Sequence, residues 1–196
     1  MFFDPKNPDI SEESFTRFNW GDLYKDAIKP ILIDMPDPRG EPVSIHFFVD
    51  SDHAGENITR RAQTGVLIII NRAQILWFSK KQNLVHTSTF VSEFTAMNQA
   101  VELTQALCYK LRMFGIILIG PGSVYFDNYA VYNNVSIPES ILNKNHHSVL
   151  YNACREAVAS DMIRVAKEDI MTNLADFFTK IMPKVVRKRF LDMFIY

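Results

Sequence analysis

No apolar run in this 196-residue chain approaches the roughly 20 residues a membrane-spanning helix needs. The opening "MFFDPKNPDI" has acids and prolines where a secretory signal needs a basic start and an apolar stretch. Cysteine is scarce: Cys108 and Cys154 sit in helix-like segments without CxxC spacing, which argues against a disulfide framework and for free thiols in a reducing compartment. With separated cysteines and one neighbouring histidine pair, His146 and His147, a zinc site is not expected either. Net charge is nearly absent, at −1, so no large basic surface is available to hold nucleic acid. Only local clusters remain, at Arg60/Arg61, Lys80/Lys81 and Lys184 with Arg187, Lys188 and Arg189; solvated surface is the ordinary meaning of each. Internal repeats and low-complexity tracts are lacking. The expectation is an intracellular chain without a membrane anchor.

What is present is apolar content, 47% of the residues, against 22% charged, enough for a sizeable core in one domain with an N-terminal extension. Residues 1–42 hold six of the nine prolines and little periodicity. They read as an arm or connector, with a short helix opening at Ser11, that ends a preceding domain; the chain would then be a piece of a longer protein. From Val43 the signals sharpen. "VSIHFFVD", "TGVLIII" and "AQILWFSKKQ" read as three closely spaced antiparallel strands. From Thr89 to Phe114 the period changes: Phe90, Phe94, Met97, Val101, Cys108 and Leu111 recur at helical spacing, with Thr87, Ser88 and Thr89 as candidate caps. "GSVYFDN" predicts a fourth strand, Ser136–Glu139 a capping box opening a helix to about Ala159, and "MIRVAKED" a fifth strand. Thr172 is expected to cap a helix over "NLADFFTKIM", and a basic-apolar helix to follow from Val185. Trp77 and the stripe of the long helix are expected in the core.

Four acids stand at the ends or first turns of these elements. Asp50 closes the first strand and Asp127 the fourth, Glu93 lies about a turn into the long helix, and Asp176 about a turn into "NLADFFTK". If strands one and four are parallel neighbours, as a strand–helix–strand crossover favours, Asp50 and Asp127 emerge side by side. Adjacent carboxylates repel unless a cation lies between them, and hard oxygen ligands suit Mg²⁺ or Mn²⁺. Without metal, that repulsion is expected to destabilise the fold. Each acid alone reads more readily as a structural strand end or cap; the four together favour a metal site.

The motifs "VDSDHAG", "RRAQTGVLI", "ILWFSKKQ", "STFVSEFTAM", "YFDN", "YNACREAV" and "NLADFFTK", in order from about Val43 to Lys180, resemble the ribonuclease H domain of copia-type (Pseudoviridae) retrotransposon polyproteins. "WGDLY" and "DMPDPRGEPV" resemble the tail of the reverse transcriptase region before it. The resemblance implies an α/β, ribonuclease H-like fold: a five-stranded mixed sheet, order 3-2-1-4-5, with helices on both faces. It divides the chain into an arm (1–42), the ribonuclease H-like domain (43–183) and a tail helix (184–196). It implies an endonuclease that cuts the RNA strand of RNA–DNA hybrids with two Mg²⁺ or Mn²⁺ ions, the reverse transcriptase domain of the same polyprotein being a further partner.

By the same resemblance Asp50 bridges both ions, Glu93 and Asp127 hold the ion that stabilises the leaving oxygen, and Asp176 helps hold the ion that activates water. For substrate, the Ser51 backbone and the Gln99 and Asn128 side chains are candidates to read the 2′-hydroxyl, and Arg60 and Arg61 to touch phosphates. A helix cap is the alternative for Asn128, and a solvated loop for the arginines. One departure stands out: the family's "YH" is Tyr151-Asn152 here; His146 and His147 upstream are candidate substitutes, but an exposed helix face is the favoured reading of that pair. A decayed or repurposed copy that binds a hybrid or a protein without cutting is the competing reading.

Overall fold

Strands buried on both faces make the centre of this molecule. The computed structural model describes residues 18–29, 33–53, 58–141, 148–168 and 172–194; the helix expected at Ser11 and the pair His146/His147 lie outside them. In chain order the elements are β1 (Arg39–Val43), β2 (Ile45–Asp52), β3 (Gln63–Ile70), β4 (Ala73–Lys81), α1 (Thr89–Met113), β5 (Ile116–Leu118), β6 (Gly122–Phe126), α2 (Tyr129–Ser136), α3 (Ser148–Ala159), β7 (Ile163–Lys167), a 3-10 turn (Leu174–Phe178) and α4 (Lys184–Phe194).

The main sheet runs β4-β3-β2-β6-β7, with β2–β3 and β3–β4 antiparallel and β2–β6 and β6–β7 parallel. Counted by the five strands expected from the sequence, this is the order 3-2-1-4-5. β2 and β6 are buried along their length because helical cover lies on both sides, so they read as continuous apolar runs rather than alternating ones. On one face Phe47, Val49, Val66, Ile68, Val124 and Phe126 pack against Phe94, Met97 and Val101 of α1 and residues of α2 and α3. On the other, Phe48, Leu67, Ile69 and Tyr125 pack against Leu174, Ala175 and Phe190 of the 3-10 turn and α4. The β3–β4 turn is tight. Asn71 takes a left-handed φ of 54°, which asparagine tolerates, and its side-chain oxygen accepts the Ser44 N–H.

Four expectations need correction. The capping box at Ser136 does not open a helix. Asn128 instead caps α2, which ends at Ser136, and residues 137–141 are not helical. The cause is Arg155, whose buried guanidinium collects the carbonyls of Asn134, Ile137 and Pro138 and holds this stretch away from a helical ladder. Second, "NLADFFTKIM" gives only the 3-10 turn, capped by Asn173 rather than Thr172, because side chains at both its ends bond to β2 and hold it flat on the sheet. Third, Trp77 is not core: it is 58% exposed on β4, an edge strand most of whose residues are exposed. Fourth, β1 pairs in parallel with β5 as a small second sheet that the proline-rich composition had hidden.

The arm's described residues Trp20 and Tyr24 dock on α3. Trp20 is buried with its ring 4.8 Å from the Arg155 guanidinium, and the Tyr24 hydroxyl donates to Asn152 at 2.8 Å. Asn152, in the position where the family's histidine was expected, therefore faces the arm. Among the described residues no helix is long and apolar enough to cross a membrane. Cys108 and Cys154 are buried free thiols.

Candidate metal centre at the end of the sheet

β2 and β6 run parallel with Phe48 opposite Tyr125, so two residues further on Asp50 faces the position of Asp127, on the same side of the sheet. That side is the one the 3-10 turn covers, and the turn carries Asp176. The result is a cluster in which one carboxylate oxygen each from Asp50, Asp127 and Asp176 all lie within 4.8 Å of one another. Glu93 comes from the other side of the sheet, on α1, and is 9% exposed. It lies outside that tight trio, and its Oε2 is buried without a hydrogen-bond partner among the described residues. Carboxylate oxygens from four elements, one of them buried and unsatisfied, fit a hard divalent ion such as Mg²⁺ or Mn²⁺.

Local chemistry explains why the turn sits where it does. The Asn173 side chain donates to the Val49 carbonyl at 3.0 Å and accepts the Ala175 N–H, tying the turn to the strand that carries Asp50. Gly65 lies opposite Asp50 on β3. A Cβ there would come within 2.7 Å of Thr179 Cγ2, 2.8 Å of the Ala175 carbonyl and 3.0 Å of Phe178 Cβ. Only glycine lets the turn lie this close to the sheet. The Ser79 hydroxyl, in turn, donates to the Phe178 carbonyl. Gln82 braces the other side, its amide nitrogen donating to Thr64 Oγ1 at 2.9 Å and the Ser92 carbonyl at 2.8 Å. This fixes the start of α1, and with it Glu93.

The acids are not facing one another unscreened, as the sequence led us to expect. Lys180 Nζ lies 3.2 Å from Asp50 Oδ1, 2.8 Å from Asp176 Oδ1 and 3.9 Å from Asp127 Oδ2. The Thr179 hydroxyl donates to the other Asp50 oxygen. The expected metal-free repulsion is thus offset by a cation the chain supplies itself. Burial, and then the charge of Asp50, pushes the Glu93 carboxyl up to about 9. The same two causes raise Asp127 and Asp176. Burial disfavours the Lys180 ammonium, but its hydrogen bond to Asp176 and the charges of Asp50, Asp176 and Asp127 outweigh that and raise its pKa. For Asp176 and Lys180 the influences oppose, and the 2.8 Å contact decides for the charged pair.

The structure therefore brings Asp50, Asp127 and Asp176 together with Glu93 close behind. Of the substrate candidates, Ser51 is buried beside Asp50, with Gln82 Nε2 3.4 Å from its Oγ. Asn128 uses its side-chain oxygen as the cap of α2, accepting from Ala130 and Val131, which leaves its amide nitrogen as the candidate donor. Arg60 and Arg61 are exposed, Arg60 at a left-handed φ of 55°. Gln99 is half-buried six residues beyond Glu93, about 120° around the helix from it, so α1 does not present the two together. Sequence reading missed Lys180, Thr179, Asn173, Gly65 and Gln82. Two signals could have found some of them: Lys180 follows Asp176 by four residues, and a glycine inside an apolar strand marks a close approach.

No family model matches the chain. Its homologues are retrovirus-related Pol polyproteins from plant copia-type transposons. It is 28% identical over 152 residues to the Pol polyprotein of transposon RE2 of Arabidopsis thaliana, covering 78% of this chain. It is also 28% identical over 144 residues to that of transposon TNT 1-94 of Nicotiana tabacum, covering 70%. The chain spans 10% of the length of each of these relatives. Solved structures similar to it include an N-terminal RNase H domain from Mycobacterium tuberculosis, with a TM-score of 0.52 at 10% identity, covering 76% of this chain and 97% of that one. Another is an RNase H1 solved in complex with an RNA/DNA hybrid, with a TM-score of 0.53 at 14% identity over 69% and 94% of the two chains. The fold is ribonuclease H-like.

Proposed function

We propose, for a chain whose homologues are transposon Pol polyproteins and whose fold is ribonuclease H-like, that it is a divalent-metal-dependent endonuclease cutting the RNA strand of RNA–DNA hybrids. The observation that carries this is the meeting, at one end of the sheet, of three aspartate oxygens within 4.8 Å with a buried, unsatisfied glutamate behind them. Asp50, Glu93, Asp127 and Asp176 are the residues that would hold Mg²⁺ or Mn²⁺. When bound, such ions lower the pKa of water and offset charge on a departing oxygen. The chain's own contribution is positional. β2 and β6 fix Asp50 and Asp127, Asn173 and Gly65 seat the turn that carries Asp176, and Gln82 braces the helix that carries Glu93, so the site is formed before substrate arrives. The Ser51 backbone and the Asn128 amide are proposed to read the 2′-hydroxyl, and Arg60 and Arg61 to meet phosphates on the exposed loop; Gln99, turned away from Glu93, is the weakest of the candidates. With a net charge of −1, hybrid affinity should be modest and should fall further as salt is raised. The proposed division is a connector (1–42) from a reverse transcriptase region, which would also be a partner, a nuclease domain (43–183) and a tail helix (184–196).

The test is cleavage of an end-labelled RNA–DNA hybrid in Mg²⁺ or Mn²⁺, alongside single-stranded RNA and duplex DNA. Cutting of the hybrid RNA alone, lost in chelator and in Asp50→Asn, is the expected result. Equal cutting with and without divalent ions, or equal cutting of single-stranded RNA, would overturn it.

A further inference from the structure

The acid cluster already holds a cation, and its count of partners is informative. An ammonium has three N–H donors and accepts nothing. Lys180 Nζ donates to Asp50 at 3.2 Å and to Asp176 at 2.8 Å, and its remaining donor is left towards Asp127, an ion pair at 3.9 Å. The remaining acid, Glu93, is left with Oε2 buried and unpartnered. A divalent ion such as Mg²⁺, which takes six oxygens, can use these same aspartate oxygens and still has positions for Glu93. Ammonium and ion compete for the same atoms, and two positive centres that close repel. The lysine side chain is 37% exposed at the rim, on a flexible four-carbon stem that lets its head move into water.

We infer that Lys180 is a built-in counter-ion: it holds the three aspartates together in the metal-free protein and is displaced when a divalent cation enters. It is a positioning residue, and the inference rests on the metal-site reading above. Its consequence is that metal affinity is set by the difference between ion and lysine rather than by the acids alone. Removing the ammonium loosens the empty site and tightens the filled one.

Titration of Mg²⁺ and Mn²⁺ against the whole chain tests this, followed by calorimetry and by melting temperature. Lys180→Met keeps the stem and removes the charge. It should bind the ions about tenfold or more tighter than the parent and melt a few degrees lower in chelator. Lys180→Arg retains a cation and should stay close to the parent in both. A second measurement needs no substitution: acylation of the parent's lysines, mapped by mass spectrometry. Saturating Mg²⁺ should raise labelling of Lys180 several-fold while Lys184 and Lys188 on α4 stay constant. Parent and Lys180→Met binding the ion equally well, or unchanged Lys180 labelling at saturating ion, overturns the inference and leaves the metal site standing. No binding of either ion by parent or variants overturns both.

Discussion

The two faces of the sheet are built for different ends. One is covered by three helices, with aromatic and aliphatic side chains from β2, β3 and β6 locked against α1. The other is covered by a five-residue 3-10 turn and α4, over a smaller apolar cluster. Asp50, Asp127 and Asp176 all belong to the thinly covered face. A thick apolar layer would desolvate the carboxylates without offering ligands or an entry path. A short turn pinned at its ends leaves the sheet edge open while fixing the acid it carries. Stability is therefore concentrated on one face and the candidate chemistry on the other, with Glu93 as the group that crosses between them.

Breaking the thick face should have the largest effect. Phe47→Ala removes a fully buried ring and is expected to cost about 3–5 kcal/mol in urea unfolding, with Mg²⁺-induced stabilisation retained in whatever fraction stays folded. An undiminished urea midpoint would contradict this division of labour.

Next is pH. Glu93 has its folded pKa raised from 4.5 to about 9, so between those values the folded chain holds a proton that the unfolded chain releases. Stability contributed by that group is full below pH 4.5 and is lost as pH rises towards 9, at no more than about 1.4 kcal/mol per unit. Urea melts in chelator at pH 5.5, 7 and 8.5 should show declining stability, and saturating Mg²⁺ should flatten the decline. A rise in metal-free stability across this window would mean Glu93 is not buried as described.

On the thin face, Gly65→Ala pushes a Cβ into Thr179, Phe178 and the Ala175 carbonyl. It should cost about 1–3 kcal/mol, and hybrid cleavage should fall far more than that loss of folded protein explains. A normal cleavage rate would show that the turn tolerates displacement. The smallest effect is expected at the sheet's open edge: Trp77→Ser should change stability by less than about 0.5 kcal/mol.

The main strands were legible because central strands of a doubly covered sheet announce themselves as apolar runs, and the four acids because each follows such a run or opens a helix; the strand order came from the family resemblance. What escaped had non-local causes. The helix expected from Ser136 is prevented by Arg155, which lies in α3 and draws off the carbonyls. The turn at Leu174 is short because Thr179 and Asn173 find partners on β2, far away in sequence. Trp77 was expected in the core on its hydrophobicity, although the implied order 3-2-1-4-5 already put its strand at the edge of the sheet. Lys180 lay inside a quoted motif, yet its task became visible only once β2 and β6 set two aspartates beside it.

The pairing of Lys180 with Asp50 spans 130 positions of the chain. Contacts of that separation close late, because the entropy of the intervening loop must be overcome before they form. The candidate ligand set is therefore expected to assemble after the folding barrier rather than on the way to it. A divalent ion that binds only the finished arrangement should leave the rate of folding unchanged and slow unfolding instead, so the protection such an ion gives is kinetic endurance.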